Sequence, residues 1–146
     1  MLVYSNVQEI YSRNTGTTKY YRRSSCSNLV YTDGVLDFQL TLDAYWVVDN
    51  VISYIPCVLN YFNSTDETFY IVRISFNKER EGYMEIFTEG YIDEDTYSDH
   101  ITVIDQKIPY IELPINNDEE ITEYKMYLQV GNYNPLQFVL LLPSEY

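Results

Sequence analysis

Residues 32–56 read TDGVLDFQLTLDAYWVVDNVISYIP, and how this stretch folds decides what the rest of the chain must do. Leu36, Leu40, Ala44, Val47, Val51 and Ile55 recur at spacings of three and four, the period of one helix face. Thr32 or Asp33 can start the helix, because a short side-chain oxygen accepts from the unpaired N–H groups of a first turn. Pro56 is predicted to end it, since the residue before a proline is pushed out of the helical region. Phe38, Leu42, Tyr45, Trp46, Val48 and Ile52 widen the apolar set almost all round, the pattern of a helix buried on two sides. A second reading breaks the stretch at Leu40-Thr41-Leu42, with a short first helix and another from near Asp43. On either reading it lies across a sheet, with Trp46 in the seam.

Working outward, Val7–Ser12 is predicted as a short helix and Asn14–Thr18 as a turn by its residue types. Lys19-Tyr20-Tyr21-Arg22-Arg23 is a basic and aromatic cluster, suited to contacting an anion or to pairing with the protein's own acidic body. Ser24–Tyr31 reads as a connection. Beyond Pro56 the period changes. Cys57–Phe62 has no clear pattern, and Asn63–Glu67 is a polar turn. Phe69–Phe76 alternates and is rich in β-branched and aromatic types, a strand signature. Tyr83–Thr88 is its returning partner, with Met84, Ile86 and Thr88 on one face. Residues 89–100 form an acidic loop, and Ile101–Ile104 a third strand. Lys107–Leu113 is extended around Pro109, which keeps it off a central position. After the polar turn at Asn116–Glu120, Glu123–Val130 alternates again. Leu136–Leu142 is nearly all apolar and reads as a central strand covered on both faces. Helices first and strands after give an α+β fold: N-terminal helical segments packed on one face of a mainly antiparallel sheet of about five strands.

At 146 residues the chain is a single domain by length, large enough to bury a core without staples. No run of about 18 apolar residues is present to span a bilayer, and the first residues lack a secretory pattern, so a cytoplasmic protein is expected. Cys26 and Cys57 lack metal-ligand spacing and read as reduced thiols. The net charge is −13. The first 30 residues hold Arg13, Lys19, Arg22 and Arg23 against Glu9 alone, so the whole acidic excess lies beyond them. Such a field repels nucleic acid and attracts basic surfaces. The 17 tyrosines suit half-buried strands and contact surfaces alike.

Chemistry-bearing motifs are scarce. The single histidine, His100, sits in the acidic loop and reads as solvated. Asp93, Glu94, Asp95 and Asp99 crowd the same loop, but a calcium loop fails because no glycine stands at its sixth position and Ile104 replaces the bidentate glutamate. Thr15-Gly16-Thr17 lacks the spacing and lysine of a phosphate-binding loop. No metal, cofactor or catalytic residue is expected, and the odds shift from an enzyme to a binding protein.

Thr15-Gly16-Thr17 with Tyr20-Tyr21-Arg22, then Val30-Tyr31-Thr32-Asp33-Gly34-Val35, Ala44-Tyr45-Trp46-Val47-Val48-Asp49 and the terminal Leu142-Pro143-Ser144-Glu145-Tyr146 together resemble a family of uncharacterised small proteins of bacteria and their viruses. The resemblance implies no activity. It implies a context of viruses and mobile elements, from which the chain departs over Asn60–His100. In that context the acidic field suggests a non-catalytic interaction protein of a phage. It would inhibit a host nucleic-acid-binding defence system, as an anti-CRISPR does, by occupying a basic surface. The expected contact residues are Asp93, Glu94, Asp95, Asp99, Asp118, Glu119 and Glu120, the partner a basic host protein, with neither direct nucleic acid nor membrane. Two other readings stand beside it. One is a small-molecule or nucleotide binder with a pocket between helix and sheet at Tyr20, Arg22, Tyr45, Trp46 and Asp49. The other is a homodimer built on its tyrosines.

Overall fold

The structure, a computed structural model, describes residues 3–23, 26, 28–91 and 97–146, and the backbone alone at 90, 91 and 97–99. The order is α1 (Tyr4–Arg13), β1 (Tyr20–Tyr21), β2 (Leu29–Thr32), α2 (Asp33–Leu42), α3 (Tyr45–Thr65), β3 (Phe69–Phe76), β4 (Gly82–Tyr91), β5 (Tyr97–Ile108), β6 (Thr122–Tyr133) and β7 (Leu136–Leu141), then a short 3-10 turn at Pro143–Glu145. The fold is α+β, as expected, but with seven strands in place of about five. The sheet runs β1-β2-β7-β6-β3-β4-β5. Every pairing is antiparallel except β2 with β7, which is parallel.

The 32–56 stretch takes its broken form. Thr32 caps α2 by accepting from the Val35 N–H. The helix ends where Asp43 turns left-handed at φ 51°, a conformation that aspartate tolerates better than most residues. Pro56 does not end α3 as predicted. It lies inside the helix, exposed, and the helix continues through Asn63-Ser64-Thr65 to a left-handed Asp66. The expected polar turn there is therefore the helix's last turn.

Other boundaries shift too. Strand β2 takes up Leu29–Tyr31, expected within a connection, and β4 and β5 extend into the stretch expected to be an acidic loop.

One face of the sheet carries the core. Phe138 and Leu140 of β7, Met126 and Leu128 of β6, Tyr70, Val72 and Ile74 of β3, and Met84 and Ile86 of β4 are all at most 3% exposed. Against them pack Val7 and Ile10 of α1, Val35 and Phe38 of α2, and Val47, Val51 and Ile55 of α3. Burying each such side chain fully stabilises by about 1.5–3 kcal/mol. Register makes this possible: Val72 stands between Ile86 and Met126, and Leu140 beside Leu128, so the period-2 alternation puts all of them on one side. Gly82 opens β4 because a Cβ there would fall 1.8 Å from the Ser75 carbonyl oxygen.

Among the described residues the other face carries no helix. There the interior strand β7 presents Gln137 and Val139, half-buried, so this strand is helix-covered on one side only, not on both.

Candidate functional site

Three segments far apart in sequence meet at one corner of the helix-free face. Glu145, in the terminal turn, accepts four hydrogen bonds. Its Oε1 takes the Thr32 hydroxyl at 2.6 Å and the Leu142 N–H at 2.9 Å. Its Oε2 takes the Thr17 hydroxyl at 3.1 Å and the Gly34 N–H at 3.2 Å. The carboxylate thereby sits at the start of α2, where it satisfies an unpaired N–H and complements the helix dipole. Beside it, Asp33 accepts from the Thr18 hydroxyl at 2.6 Å and from the Thr18 N–H. These bonds, led by the Thr18 hydroxyl and opposed by burial, hold the Asp33 carboxyl below its ordinary range. A carboxylate with four donors has its lone pairs occupied, so Glu145 is built to hold the chain's end in place.

This corner is one wall of a cavity of about 700 Å³. Its floor is Val30, Val139, Gln137 and Gln129, contributed by three neighbouring strands, and Tyr20 and Tyr146 stand at its rim. Val30 pairs with Val139, and Val139 with Gln129. Further along the same face, Phe69, Tyr127 and Tyr146 form a cluster of rings with centroids 5.0–5.5 Å apart.

A second polar cluster lies across β3, β4 and β5 on this face. Glu85 receives Arg73 at 2.5 Å, His100 Nε2 at 2.5 Å and the Thr102 hydroxyl at 2.6 Å. Phe87 lies between charges and rings, with the Arg73 guanidinium 4.9 Å from its centroid and the His100 ring stacked at 4.1 Å. His100 is thus a strand residue engaged with Glu85 and Phe87, not a solvated loop residue. Burial pushes the Glu85 carboxyl up, but bonds from Thr102, His100 and Arg73 outweigh it and hold the group below its ordinary value.

The residues singled out from sequence scatter. Tyr20 lines the cavity. Trp46 packs against the core, and Tyr45 is 43% exposed on the helix side. Asp49 is paired with Arg23, whose guanidinium also reaches Gln39 at 2.5 Å and lies 5.9 Å from the Tyr45 ring. The cation at Asp49 is therefore Arg23; Arg22 is exposed and, among the described residues, makes no ion pair. The five residues expected around one pocket are not brought together, because Tyr20 faces the side of the sheet that the helices leave open. Asp118, Glu119 and Glu120 are exposed in the β5–β6 connection. Asp93, Glu94 and Asp95 lie outside the described residues, and the side chain of Asp99 does too. Among the described residues no group of three His, Cys, Asp or Glu side chains is placed to hold a metal, and no helix is long and apolar enough to cross a membrane.

Sequence reasoning missed Gln129, Gln137 and Glu145. The two glutamines are the polar members of alternating strands, a signal that marks an outward face but not a cavity. Glu145 was not legible as a hub, because three of its four partners are 111–128 residues away.

A family model described as a family of unknown function, DUF6876, matches residues 5–146, and the chain belongs to that family. No curated protein and no solved structure gives a significant match.

Proposed function

We propose that this member of DUF6876 is a non-catalytic interaction protein that takes a basic partner on a carboxylate-rich end of its sheet. The supporting observation is the register. Phe76 pairs with both Gly82 and Thr122, and Gly82 pairs with Ile108. The β3–β4 turn and the long β5–β6 connection therefore leave the sheet at the same end. They carry Glu79, Glu81, Glu112, Asp118, Glu119 and Glu120, all exposed.

The cations available to neutralise this end are few. Arg80 spends its guanidinium on the carbonyls of Ile111 and Leu113, and Lys78 stands 3.9 Å from Glu120 with both side chains at least half exposed, a pair of small worth. Elsewhere Arg13, Arg23 and Arg73 are consumed by Asp37, Asp49 and Glu85. The acidic excess is thus presented outward, where it attracts a lysine- and arginine-rich surface and speeds encounter.

In its narrow form the chain is of phage or mobile-element origin. The partner is a host nucleic-acid-binding defence protein, blocked in the manner of an anti-CRISPR. A groove that binds phosphates depends on charge neutralisation, so an array of carboxylates competes for the same cations.

The test is capture of host proteins on the immobilised chain at low salt, followed by nucleic-acid binding measurements on what is captured. The reading expects a basic nucleic-acid-binding protein that elutes as salt rises and loses its nucleic acid when the chain is added. A triple substitution of Asp118, Glu119 and Glu120 to Ser should release it. Capture of nothing basic, or undiminished capture by the triple variant, would overturn the proposal.

A further inference from the structure

The helix-free cavity holds a set of groups that the acidic end does not use. Gln129 on β6 and Gln137 on β7 both line it and are half-buried. Because Gln129 pairs with Val139, Gln137 is its diagonal neighbour on the same face, about 7–8 Å away by strand geometry. Among the described residues neither side-chain amide has a hydrogen-bond partner. Each offers two donors and an acceptor, the combination that reads the edge of a nucleobase in paired donor–acceptor fashion.

The rest of the cavity suits a flat ring. Val30, Val139 and Leu141 give an apolar floor. Tyr20 and Tyr146 stand at the rim, 61% and 75% exposed, and Tyr146 is braced edge-on by Phe69 and Tyr127 at 5.5 and 5.3 Å. Such rings are platforms on which a base stacks. From Tyr20 to Gln129 the floor crosses β1, β2, β7 and β6, about 14 Å at the usual strand spacing, room for a base and its sugar.

Charge supplies the last element. Lys19 and Arg22 flank Tyr20 and, among the described residues, neither makes an ion pair or a side-chain hydrogen bond. Tyr21 and Arg23 turn to the helix side, where they meet Tyr31 and Asp49. Of Lys19 and Arg22, Arg22 alternates to the same side as Tyr20, which lines the cavity, and is the member of the basic cluster left there for an external anion. Among the described residues that line the cavity Glu145 carries the one acidic side chain, and its carboxylate is engaged by four donors.

We infer that this cavity binds a nucleoside monophosphate, with the base against the Gln129 and Gln137 amides and the Tyr20 and Tyr146 rings, and the phosphate toward Arg22. The site lies on the helix-free face and is independent of the partner proposed for the acidic end.

The experiment is a titration of the full, isotopically labelled chain with adenosine 5′-monophosphate, followed by the glutamine side-chain amide resonances and by calorimetry. Adenosine and inorganic phosphate serve as separate arms. Saturable shifts at the Gln129 and Gln137 amides with the nucleotide are expected, with weaker binding of adenosine. Phosphate alone should leave those amides unmoved. Gln129→Met with Gln137→Met should weaken binding by about tenfold or more, the loss of a paired base contact. Arg22→Ser, at an exposed position outside the core, should weaken the nucleotide while sparing adenosine. Absence of shifts at millimolar nucleotide would overturn the inference. So would equal binding by Arg22→Ser, phosphate reproducing every shift, or a dimer that buries Tyr20 and Tyr146.

Discussion

Glu145 and Gly34 make a contact that a glycine alone allows: a Cβ on Gly34 would fall 2.3 Å from Glu145 Oε1. Glycine inside a helix ordinarily costs about 1 kcal/mol relative to alanine, so Gly34→Ala would stabilise an isolated α2. Here the added methyl displaces the carboxylate from its four donors. Gly34→Ala is therefore expected to destabilise the protein by about 1–3 kcal/mol, and Glu145→Ala by a similar amount, the usual cost of stranding partly buried polar groups. The two changes should not add. In the Glu145→Ala background, Gly34→Ala should be neutral or stabilising. A double-mutant cycle by urea unfolding measures this, and simple additivity would contradict the account.

Glu85 gives a pH dependence with a definite sign. Burial raises its pKa, but the bonds from Thr102, His100 and Arg73 lower it by more, leaving it below its ordinary 4.5. A carboxyl depressed on folding contributes stability that is fully present above the unfolded value and is lost as pH falls through the folded value. Asp37, held low chiefly by its bond from Arg13, and Asp33 act in the same direction. The wild-type chain should lose stability as pH drops below about 4.5, the ordinary glutamate range. Glu85→Gln should be less stable at neutral pH and show a shallower acid loss. Melting curves from pH 7 to pH 3 compare the two, and parallel profiles would remove Glu85 from the acid response.

The parts of this fold that were legible in the sequence are those whose pattern is local. Phe69–Phe76 was readable to the residue because it alternates and its hairpin partner β4 follows closely. The break between α2 and α3 was legible as one of two readings, but only Asp43 in the left-handed region decides between them. Leu29–Thr32 was illegible as a strand. It is four residues long, and its long partner is β7, over 100 residues away. The cavity was hidden for the same reason, since Thr17, Val30, Gln129 and Glu145 are neighbours only once β2 inserts beside β7. Counting apolar residues also could not show which sheet face the helices leave open. Leu136–Leu142 looks the same whether covered on one side or on two.

Pro56 is a cost that α3 carries in its interior. The residue sits mid-helix and exposed. Its ring occupies the space of the Ile52 carbonyl and it donates no hydrogen bond, a cost of about 3 kcal/mol in a helix interior. Against this, proline restricts the unfolded chain by about 0.4–1 kcal/mol. Pro56→Ala should therefore raise stability by about 1–3 kcal/mol and increase hydrogen-exchange protection in the turn after it. A decrease in stability would mean that the helix is already bent to accommodate the ring.

Arg80 ties the acidic end to the sheet. It is held at φ 68°, a conformation costing a residue with a Cβ about 1–2 kcal/mol. In that position its Nη1 donates to the carbonyls of Ile111 at 3.0 Å and Leu113 at 2.6 Å, and its own carbonyl accepts from the Ile111 N–H at 2.8 Å. Ile111 and Leu113 are buried to within 2%, so those carbonyls find little water if the guanidinium is removed. Two charge-assisted bonds at about 1.5–3 kcal/mol each outweigh the backbone strain, which makes Arg80→Gly and Arg80→Ala both destabilising. Glycine relieves the strain and alanine does not, so Arg80→Ala should be the less stable by about 1 kcal/mol. Chemical unfolding gives the order, and hydrogen exchange should show protection lost at Ile111. Because the same connection carries Glu112, Asp118 and Glu119, either variant should also bind a basic partner more weakly. Undiminished binding would separate the acidic end from the scaffold that Arg80 maintains.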